Sequence, residues 1–221
     1  MKNKKAAIRY LGWRLIALVA VPVVLASNVY ADDVPAKIQI GDQWTYDETN
    51  DITGAPNGRL LMTVTETGDK DFTVHIGSPN NNGGYLIIFD YDWNAKEQAQ
   101  TKMTPHDGRG APHDAKVGTS WNTNFTWKDM NKGGGGKGQA TGKCVSDEKL
   151  EVQAGTFDTL KCVTVIKIKP PGGGPAVTET EITTWFAPQT LRWARRKFVT
   201  RERGHVSESR THELIAYELK Q

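Results

Sequence analysis

The chain contains two cysteines, Cys144 and Cys162, and both lie in one lysine-rich segment, 143–169. Neither has a C-x-x-C partner or a nearby histidine, so a disulfide is favoured over a metal site or a reactive thiol. Strands that fold back at the midpoint, Gln153, would bring the cysteines opposite each other, unless a bulge shifts the register by one residue. We therefore predict a disulfide across adjacent antiparallel strands, which contributes roughly 3 kcal/mol for a loop of about 19 residues.

Two of the five histidines, His106 and His113, are followed by an aspartate in one polar loop. Histidine and aspartate are metal ligands, so the two pairs are candidates for a metal site, although the same composition is typical of a solvated loop. The sequence shows no hydrolase, metalloprotease, phosphate-loop or dinucleotide motif. Asp90 and Asp92 share a predicted strand face, which does not establish carboxylates facing each other across a sugar. We therefore expect no cofactor and no catalytic centre, and a metal in the loop 102–117 stays as an alternative.

Aromatic and basic residues supply the candidate ligand-binding positions. Tryptophans near Asn-rich loops can stack on sugar rings, although their alternation with apolar residues favours core positions for most of them. The segment 191–203 carries six basic residues and one acid, Glu202. It could contact anionic lipid headgroups or an acidic envelope component, or it could form an edge strand whose charges oppose aggregation. The candidate ligand-binding residues are Trp93, Trp127, Arg195 and Arg196.

The first 31 residues have the pattern of a secretory signal peptide. Five basic residues and no acid come first, then an apolar run at 15–25, and the segment ends Val29-Tyr30-Ala31. An uncleaved membrane anchor is the alternative, but this run at about 1.5 Å per residue falls far short of a ~30 Å hydrocarbon core. No cysteine follows the run, which argues against a lipid anchor. We predict cleavage after Ala31 and a periplasmic or secreted protein that does not span the membrane.

Removal of the leader changes the charge balance. The full chain has 28 basic and 25 acidic residues, and five of the basic residues lie in the leader, so 23 basic and 25 acidic residues remain. The remaining chain is slightly acidic, which gives no reason to expect nucleic-acid binding. Its length, about 190 residues, is sufficient for one domain with a sizeable core.

Residues 32–221 are predicted to form short strands joined by tight turns. Apolar and polar residues alternate in 59–67 and 72–76, and a Gly-Asp turn joins these segments into a hairpin. The glycine-rich segment 130–138 is predicted as a flexible loop tip, and 96–103 as one turn or a short helix. We predict a single all-β domain in which an antiparallel meander curls into an open barrel, with a two-sheet β-sandwich as the alternative.

Four short motifs occur in a fixed order along the chain: G-x-x-W-x-Y, V-G-x-x-W, V-x-A-G-T-F-x-T and W-[FY]-A-P. They are carried by Gly41, Trp44 and Tyr46; Val117, Gly118 and Trp121; Val152, Ala154, Gly155, Thr156, Phe157 and Thr159; and Trp185, Phe186, Ala187 and Pro188. This order resembles that of an uncharacterised exported bacterial all-β domain family. The resemblance spans most of the chain after the leader and implies an envelope protein similar to the open barrels that handle lipoproteins or lipids. It implies no known reaction, and the cysteine pair is not part of the pattern.

The function expected from the sequence is that of an exported, non-catalytic β-protein. We expect it to bind an apolar or amphipathic envelope ligand, such as a lipid-like molecule, or to act as a structural module. A carbohydrate-binding module that uses exposed tryptophans is the second hypothesis, and a metal-dependent enzyme is the third. The sequence leaves the identity of the ligand and the oligomeric state open.

Overall fold

The computed structural model describes residues 37–79, 81–169 and 178–220, so the predicted signal peptide, 1–31, lies outside the described residues. The described residues form twelve β-strands and one turn of 3-10 helix, and they contain no helix long and apolar enough to cross a membrane. The strands are β1 Gln43–Asn50, β2 Pro56–Thr67, β3 Phe72–Ser78, β4 Asn81–Phe89, β5 Ala95–Gln98, β6 Thr101–Thr104, β7 Ser120–Asp129, β8 Gly135–Val152, β9 Gly155–Lys169, β10 Thr178–Ala187, β11 Arg192–Glu202 and β12 His205–Glu218, and the 3-10 turn is Pro188–Thr190.

The strands form one closed antiparallel barrel in sequence order. Each strand pairs with its neighbours in the chain, and β1 also pairs with β12, from Gln43 opposite Glu218 to Asn50 opposite Arg210. The predicted all-β meander barrel is confirmed, and the sandwich alternative is not favoured. The barrel is closed rather than open because the β1–β12 pairing satisfies the outer backbone groups of both strands. Since β11 pairs with both β10 and β12, the hypothesis of a charged edge strand at 191–203 is wrong.

Two segments differ from the local sequence prediction. The segment 96–103 forms most of the β5–β6 hairpin instead of a helix, and its strands pair with β4 and β7. The glycine-rich segment 130–138 is a loop only in its first part, because β8 begins at Gly135 and pairs with β7. In both segments, hydrogen bonding to neighbouring strands overrides the weak local preference.

The disulfide between Cys144 and Cys162 is present, as predicted. The β8–β9 hairpin turns at residues 153–154, so its centre lies half a residue beyond the predicted midpoint. With this turn alone, Cys144 would face Val163. A β-bulge at Val145 shifts the register by one residue and places Cys144 opposite Cys162. Both cysteines are buried.

Aromatic side chains fill one half of the barrel interior. The Trp93 ring lies at the centre of this cluster, with its centroid 4.7 Å from that of Phe72 and 5.6 Å from those of Trp44 and Trp193. Most of these contacts are edge-to-face, the arrangement that the ring quadrupoles favour. The Trp93 indole N–H donates to the Leu191 carbonyl oxygen at 3.0 Å, which ties the cluster to the turn before β11.

Candidate functional site

One end of the barrel, here called the closed end, is covered by the loop 105–119. This loop packs against the turn 90–94 at Gly110, whose amide donates to Asn94 Oδ1 at 2.7 Å. A Cβ atom at Gly110 would lie 1.7 Å from the Asp92 carbonyl oxygen, so only glycine permits this approach. The loop is therefore a fixed part of the barrel, although its composition is that of a solvated loop.

A cavity of about 590 Å³ occupies the other half of the interior. It reaches the surface where Ala99 and Glu208 are exposed, at the end of the barrel here called the open end. Its volume falls within the roughly 300–1,000 Å³ that is typical of small-molecule sites. The apolar wall consists of Ala99, Met103, Phe125, Trp127, Ile166, Ile168, Ile182 and Phe198, and the polar wall of Gln98, Thr101, Asp107, Arg109, Thr180, Thr200, Glu208 and Arg210.

Small residues on β8 explain why the cavity is open. Inward positions of β8 between 136 and 142 hold glycine or alanine, and aromatic rings of β7 lie over them. A Cβ atom at Gly138 would lie 2.2 Å from Phe125 Cζ, and one at Gly142 would lie 2.0 Å from the Trp121 ring. The rings thus occupy the space that β8 side chains would fill, and the centre of the barrel stays open.

The inner end of the cavity is built around the Arg109 guanidinium. Its Nε pairs with the Asp107 carboxylate, and its Nη2 donates to Gln98 Oε1 at 3.1 Å. Asp107 is held in turn by the Ala95 amide, which donates to Oδ1 at 2.9 Å. The Arg109 carbonyl oxygen accepts a hydrogen bond from Arg196 Nη2 at 3.2 Å. The loop 105–119 is thereby attached to the barrel wall from inside.

Two further guanidiniums, those of Arg192 and Arg196, are buried beyond the inner end of the cavity, here called the cavity floor. Among the described residues neither forms an ion pair with a carboxylate. Arg192 Cζ lies 3.7 Å from the Trp193 ring centroid and 3.9 Å from that of Trp93, and Arg196 Cζ lies 4.3 Å from that of Trp193. Burial lowers the pKa of Arg192 to about 10. Burial, with the positive charges of Arg109 and Arg192, lowers the pKa of Arg196 well below its usual range. Because arginine stays protonated in proteins, both residues add positive charge to the interior.

Arg210 lies on the cavity wall nearer the open end. Its Nη1 pairs with Glu208 on the same strand, and its guanidinium lies 4.9 Å from the Phe198 ring centroid. Arg210 Nε is 3.9 Å from Glu48 Oε2, too far for a hydrogen bond, and the same oxygen is 2.5 Å from His212 Nε2. The hydrogen bond from His212 lowers the pKa of Glu48, and burial lowers the pKa of His212. At neutral pH a neutral imidazole therefore donates to an ionised carboxylate.

The four candidate ligand-binding residues from the sequence occupy three different environments. Trp127 lines the cavity. Trp93 is buried in the aromatic core, and Arg196 is buried behind the cavity floor. Arg195 is only partly buried and pairs with Glu213, with Nε 2.9 Å from Oε2. Only Trp127 among them can contact a ligand in the cavity directly.

The two candidate metal ligands make separate contacts in the closed-end loop. His106 Nδ1 accepts a hydrogen bond from the Gly108 amide at 3.2 Å. His113 is exposed, and its Nδ1 lies 3.4 Å from Asp92 Oδ1. In the described ranges no group of three or more His, Cys, Asp or Glu side chains is arranged to hold a metal ion.

Sequence reasoning missed the residues that shape the polar part of the cavity. Arg109 had no recognisable signal, because its position depends on how the closed-end loop packs. On β11, Arg196 and Phe198 occupy one strand face and Arg195 and Lys197 occupy the other, and this alternation did carry a signal. Phe198 is apolar and shares a strand face with Arg196, so it could have indicated that Arg196 points inward.

No family model matches the sequence, and no curated protein matches it. The fold is similar to that of a predicted lipoprotein from Parabacteroides distasonis ATCC 8503, with 12% identity, a TM-score of 0.53, and coverage of 83% of this chain and 97% of that chain. It is also similar to a predicted exported protein with a YmcC-like fold from Bacteroides fragilis NCTC 9343, with 15% identity, a TM-score of 0.48, and coverage of 83% of this chain and 98% of that chain. A third similar structure is the hypothetical lipoprotein YmcC from Escherichia coli K12, with 11% identity, a TM-score of 0.48, and coverage of 84% of this chain and 91% of that chain. At such identities the likeness shows the barrel fold alone, so the function must be argued from the cavity.

Proposed function

We propose that this protein is exported to the bacterial envelope, where it binds an apolar or amphipathic ligand inside the barrel without transforming it chemically. The cavity of about 590 Å³ carries the proposal, because apolar side chains from neighbouring strands line it and it opens at one end. Ile182 on β10 lies opposite Phe198 on β11, so the apolar wall continues across these two strands. A hydrocarbon chain placed there leaves water, which is favourable.

Three observations support the export part of the proposal. The segment 1–31 has the charge and apolar pattern of a signal peptide. The order of the four motifs resembles that of exported all-β domains. The barrel is similar in fold to a predicted lipoprotein. The bacterial envelope also contains amphiphilic molecules, which are the class of ligand that this cavity fits.

The structure gives less support to the other two hypotheses. Sugar binding by tryptophan requires an accessible indole face, but Trp44, Trp93 and Trp193 are buried in the core and Trp127 faces the cavity. Trp121 and Trp185 are partly buried: the Trp121 ring lies over Gly142, and Lys161 Nζ lies 5.0 Å from the Trp185 ring centroid. A metal enzyme in the loop 102–117 requires its ligands to converge, and among the described residues the two histidines do not form part of such a group. A lipid-like ligand therefore fits this chain better than a carbohydrate or a catalytic metal.

Calorimetric titration of residues 32–221, after removal of bound lipid, tests the proposal. Saturated fatty acids from eight to sixteen carbons should bind about fourfold more tightly per added methylene, at ~0.8 kcal/mol each, until the cavity is full. The substitution Ile182→Phe narrows the cavity and should weaken binding, whereas Thr183→Phe, on the opposite strand face, should not. Binding of oligosaccharides without binding of any fatty acid would contradict the proposal.

A further inference from the structure

The barrel interior has a surplus of hydrogen-bond donors. Among the described residues, the buried side-chain nitrogen and oxygen atoms without a hydrogen-bond partner are all N–H nitrogens of arginine or tryptophan, and none is an oxygen. They are Nε1 of Trp127 and Trp193, Nε and Nη1 of Arg192, and Nε of Arg196 and Arg210. Buried polar groups are usually paired. Two of these donors, Trp127 Nε1 and Arg210 Nε, belong to residues that line the cavity, so a ligand that supplies acceptors could pair with them.

The acceptors that could have satisfied these donors are already engaged. Asp107 accepts hydrogen bonds from the amides of Ala95 and Arg109 and pairs with the Arg109 side chain. Glu48 interacts with His212 through one oxygen and with Asn57 through the other. Glu208 pairs with Arg210 on the rim, where its side chain is 47% exposed. An ion pair this exposed to water is weak and can exchange for a better partner.

Positively charged groups also outnumber negatively charged groups in and around the cavity. The cavity lining holds two guanidiniums, Arg109 and Arg210, and two carboxylates, Asp107 and Glu208. The buried guanidiniums of Arg192 and Arg196 add two further positive charges, against one nearby carboxylate, Glu48. The two deepest guanidiniums form no ion pair with the described carboxylates. Their charge acts through a medium of low dielectric, where it is screened less than in water. The cavity therefore attracts a negative group.

Building on the proposed function, we propose that the ligand is a single-chain amphiphile with an anionic head, a carboxylate or a phosphate, that pairs with Arg210. Arg210 lines the cavity, and its Nε has no hydrogen-bond partner. Its guanidinium is held against the Phe198 ring, which orients the planar fork that matches two oxygens of a carboxylate or phosphate. The tail contacts the apolar wall that includes Ile166 and Ile182, and Trp127 Nε1 is a further donor within the same cavity.

Calorimetric titration of residues 32–221 with a series of dodecyl compounds tests this inference. Laurate and dodecyl phosphate should bind at least tenfold more tightly than dodecanol, dodecyltrimethylammonium should bind more weakly still, and inorganic phosphate should bind far more weakly than dodecyl phosphate. Arg210→Gln should weaken laurate binding about tenfold to a hundredfold, as expected for a charge-assisted hydrogen bond, and should weaken dodecanol binding far less. Arg210→Lys should retain part of the preference for laurate. Arg195→Gln, on the outer side of the same sheet, is the matched control and should bind laurate like the wild type.

The possible outcomes separate this inference from the proposed function. Equal affinities for dodecanol and laurate, or wild-type laurate affinity in Arg210→Gln, would overturn the anionic head and leave an apolar cavity site intact. Inorganic phosphate that binds as tightly as dodecyl phosphate would overturn the amphiphile. If no dodecyl compound binds, both the inference and the proposed function are wrong. Thermal unfolding confirms that each variant is folded, and the headgroup series in the wild type decides the question even if Arg210→Gln does not fold.

Discussion

Replacement of Gly138 by alanine tests the explanation for the open cavity. A Cβ atom at this position would lie 2.2 Å from Phe125 Cζ, and 2.5 and 2.7 Å from the two Cε atoms. Ordinary contacts begin at 3.4 Å, so the Phe125 ring must move by at least about 1.2 Å. At Gly138, β8 pairs with both β7 and β9, so the ring moves rather than the backbone. The free space next to the ring is the cavity.

The displaced ring should affect ligand binding more than stability. Overpacking of a dense core costs about 1–3 kcal/mol, and the lower end applies here because the ring has space to enter. A loss of about 1 kcal/mol lowers the melting temperature by roughly 2–4 °C in a domain of this size. If the ring takes the room of two methylene groups, laurate binding weakens by about 1.6 kcal/mol, or roughly fifteenfold.

Thermal unfolding and laurate titration of residues 32–221 measure both effects. Gly134→Ala is the matched control, because it lies in the same glycine run and an added Cβ has nothing within 4 Å. It should leave the affinity unchanged and the stability equal or slightly higher, by up to about 1 kcal/mol. Phe125→Leu in the Gly138→Ala background should restore part of the affinity, as a coupling in a double-mutant cycle. If Gly138→Ala has the stability and affinity of Gly134→Ala, the Phe125 ring does not rest on Gly138 and the explanation is refuted.

Three further predictions concern processing, the disulfide and pH. N-terminal sequencing of the exported protein should start at Asp32, and a full-length chain in the membrane fraction would contradict this. Cys144→Ser combined with Cys162→Ser should lower the free energy of unfolding by roughly 3 kcal/mol and preserve laurate binding, while alkylation in urea without reductant should label no thiol in the wild type. Burial lowers the pKa of His212, and hydrogen bonding lowers that of Glu48, so the unfolded chain binds more protons once the pH is below about 6.5. Stability measured by urea unfolding should fall as the pH drops below that value, and His212→Gln should remove the part of the fall that begins near pH 6.5.

The fold class could be predicted from the sequence because strand periodicity and turn residues are local signals. Barrel closure could not be predicted, because it depends on the pairing of residues 43–50 with 210–218. These segments are far apart in the chain, and neither has a local sequence signal that indicates its partner. The disulfide was predictable from the spacing of the cysteines. The bulge at Val145 that sets its register was a stated alternative, which only the pairing of the two strands resolves.

The candidate site was predictable only in part. Trp127 was a candidate from its residue type and does line the cavity. The arginines of β11 were expected to contact an anionic partner or to form a charged edge strand, yet Arg192 and Arg196 are buried against aromatic rings that reduce their desolvation cost. The segment around Gly138 was assigned to a loop because glycine is depleted in strands. Gly138 instead leaves room for the Phe125 ring, and this contact involves the neighbouring strand β7.

The size of the cavity argues that it is open to solvent or ligand in the folded protein. A dry, enclosed void of about 590 Å³ would cost on the order of 14 kcal/mol at ~24 cal/mol per Å³, which is comparable to the whole stability of a typical domain. The inner end cannot collapse into this space, because Arg196 holds the Arg109 carbonyl oxygen and Asp107 holds the Arg109 side chain. Access at the open end removes most of the cost, since the space can be filled. A ligand that fills the apolar part and supplies acceptors to Arg210 and Trp127 would satisfy groups that the protein itself leaves unpaired.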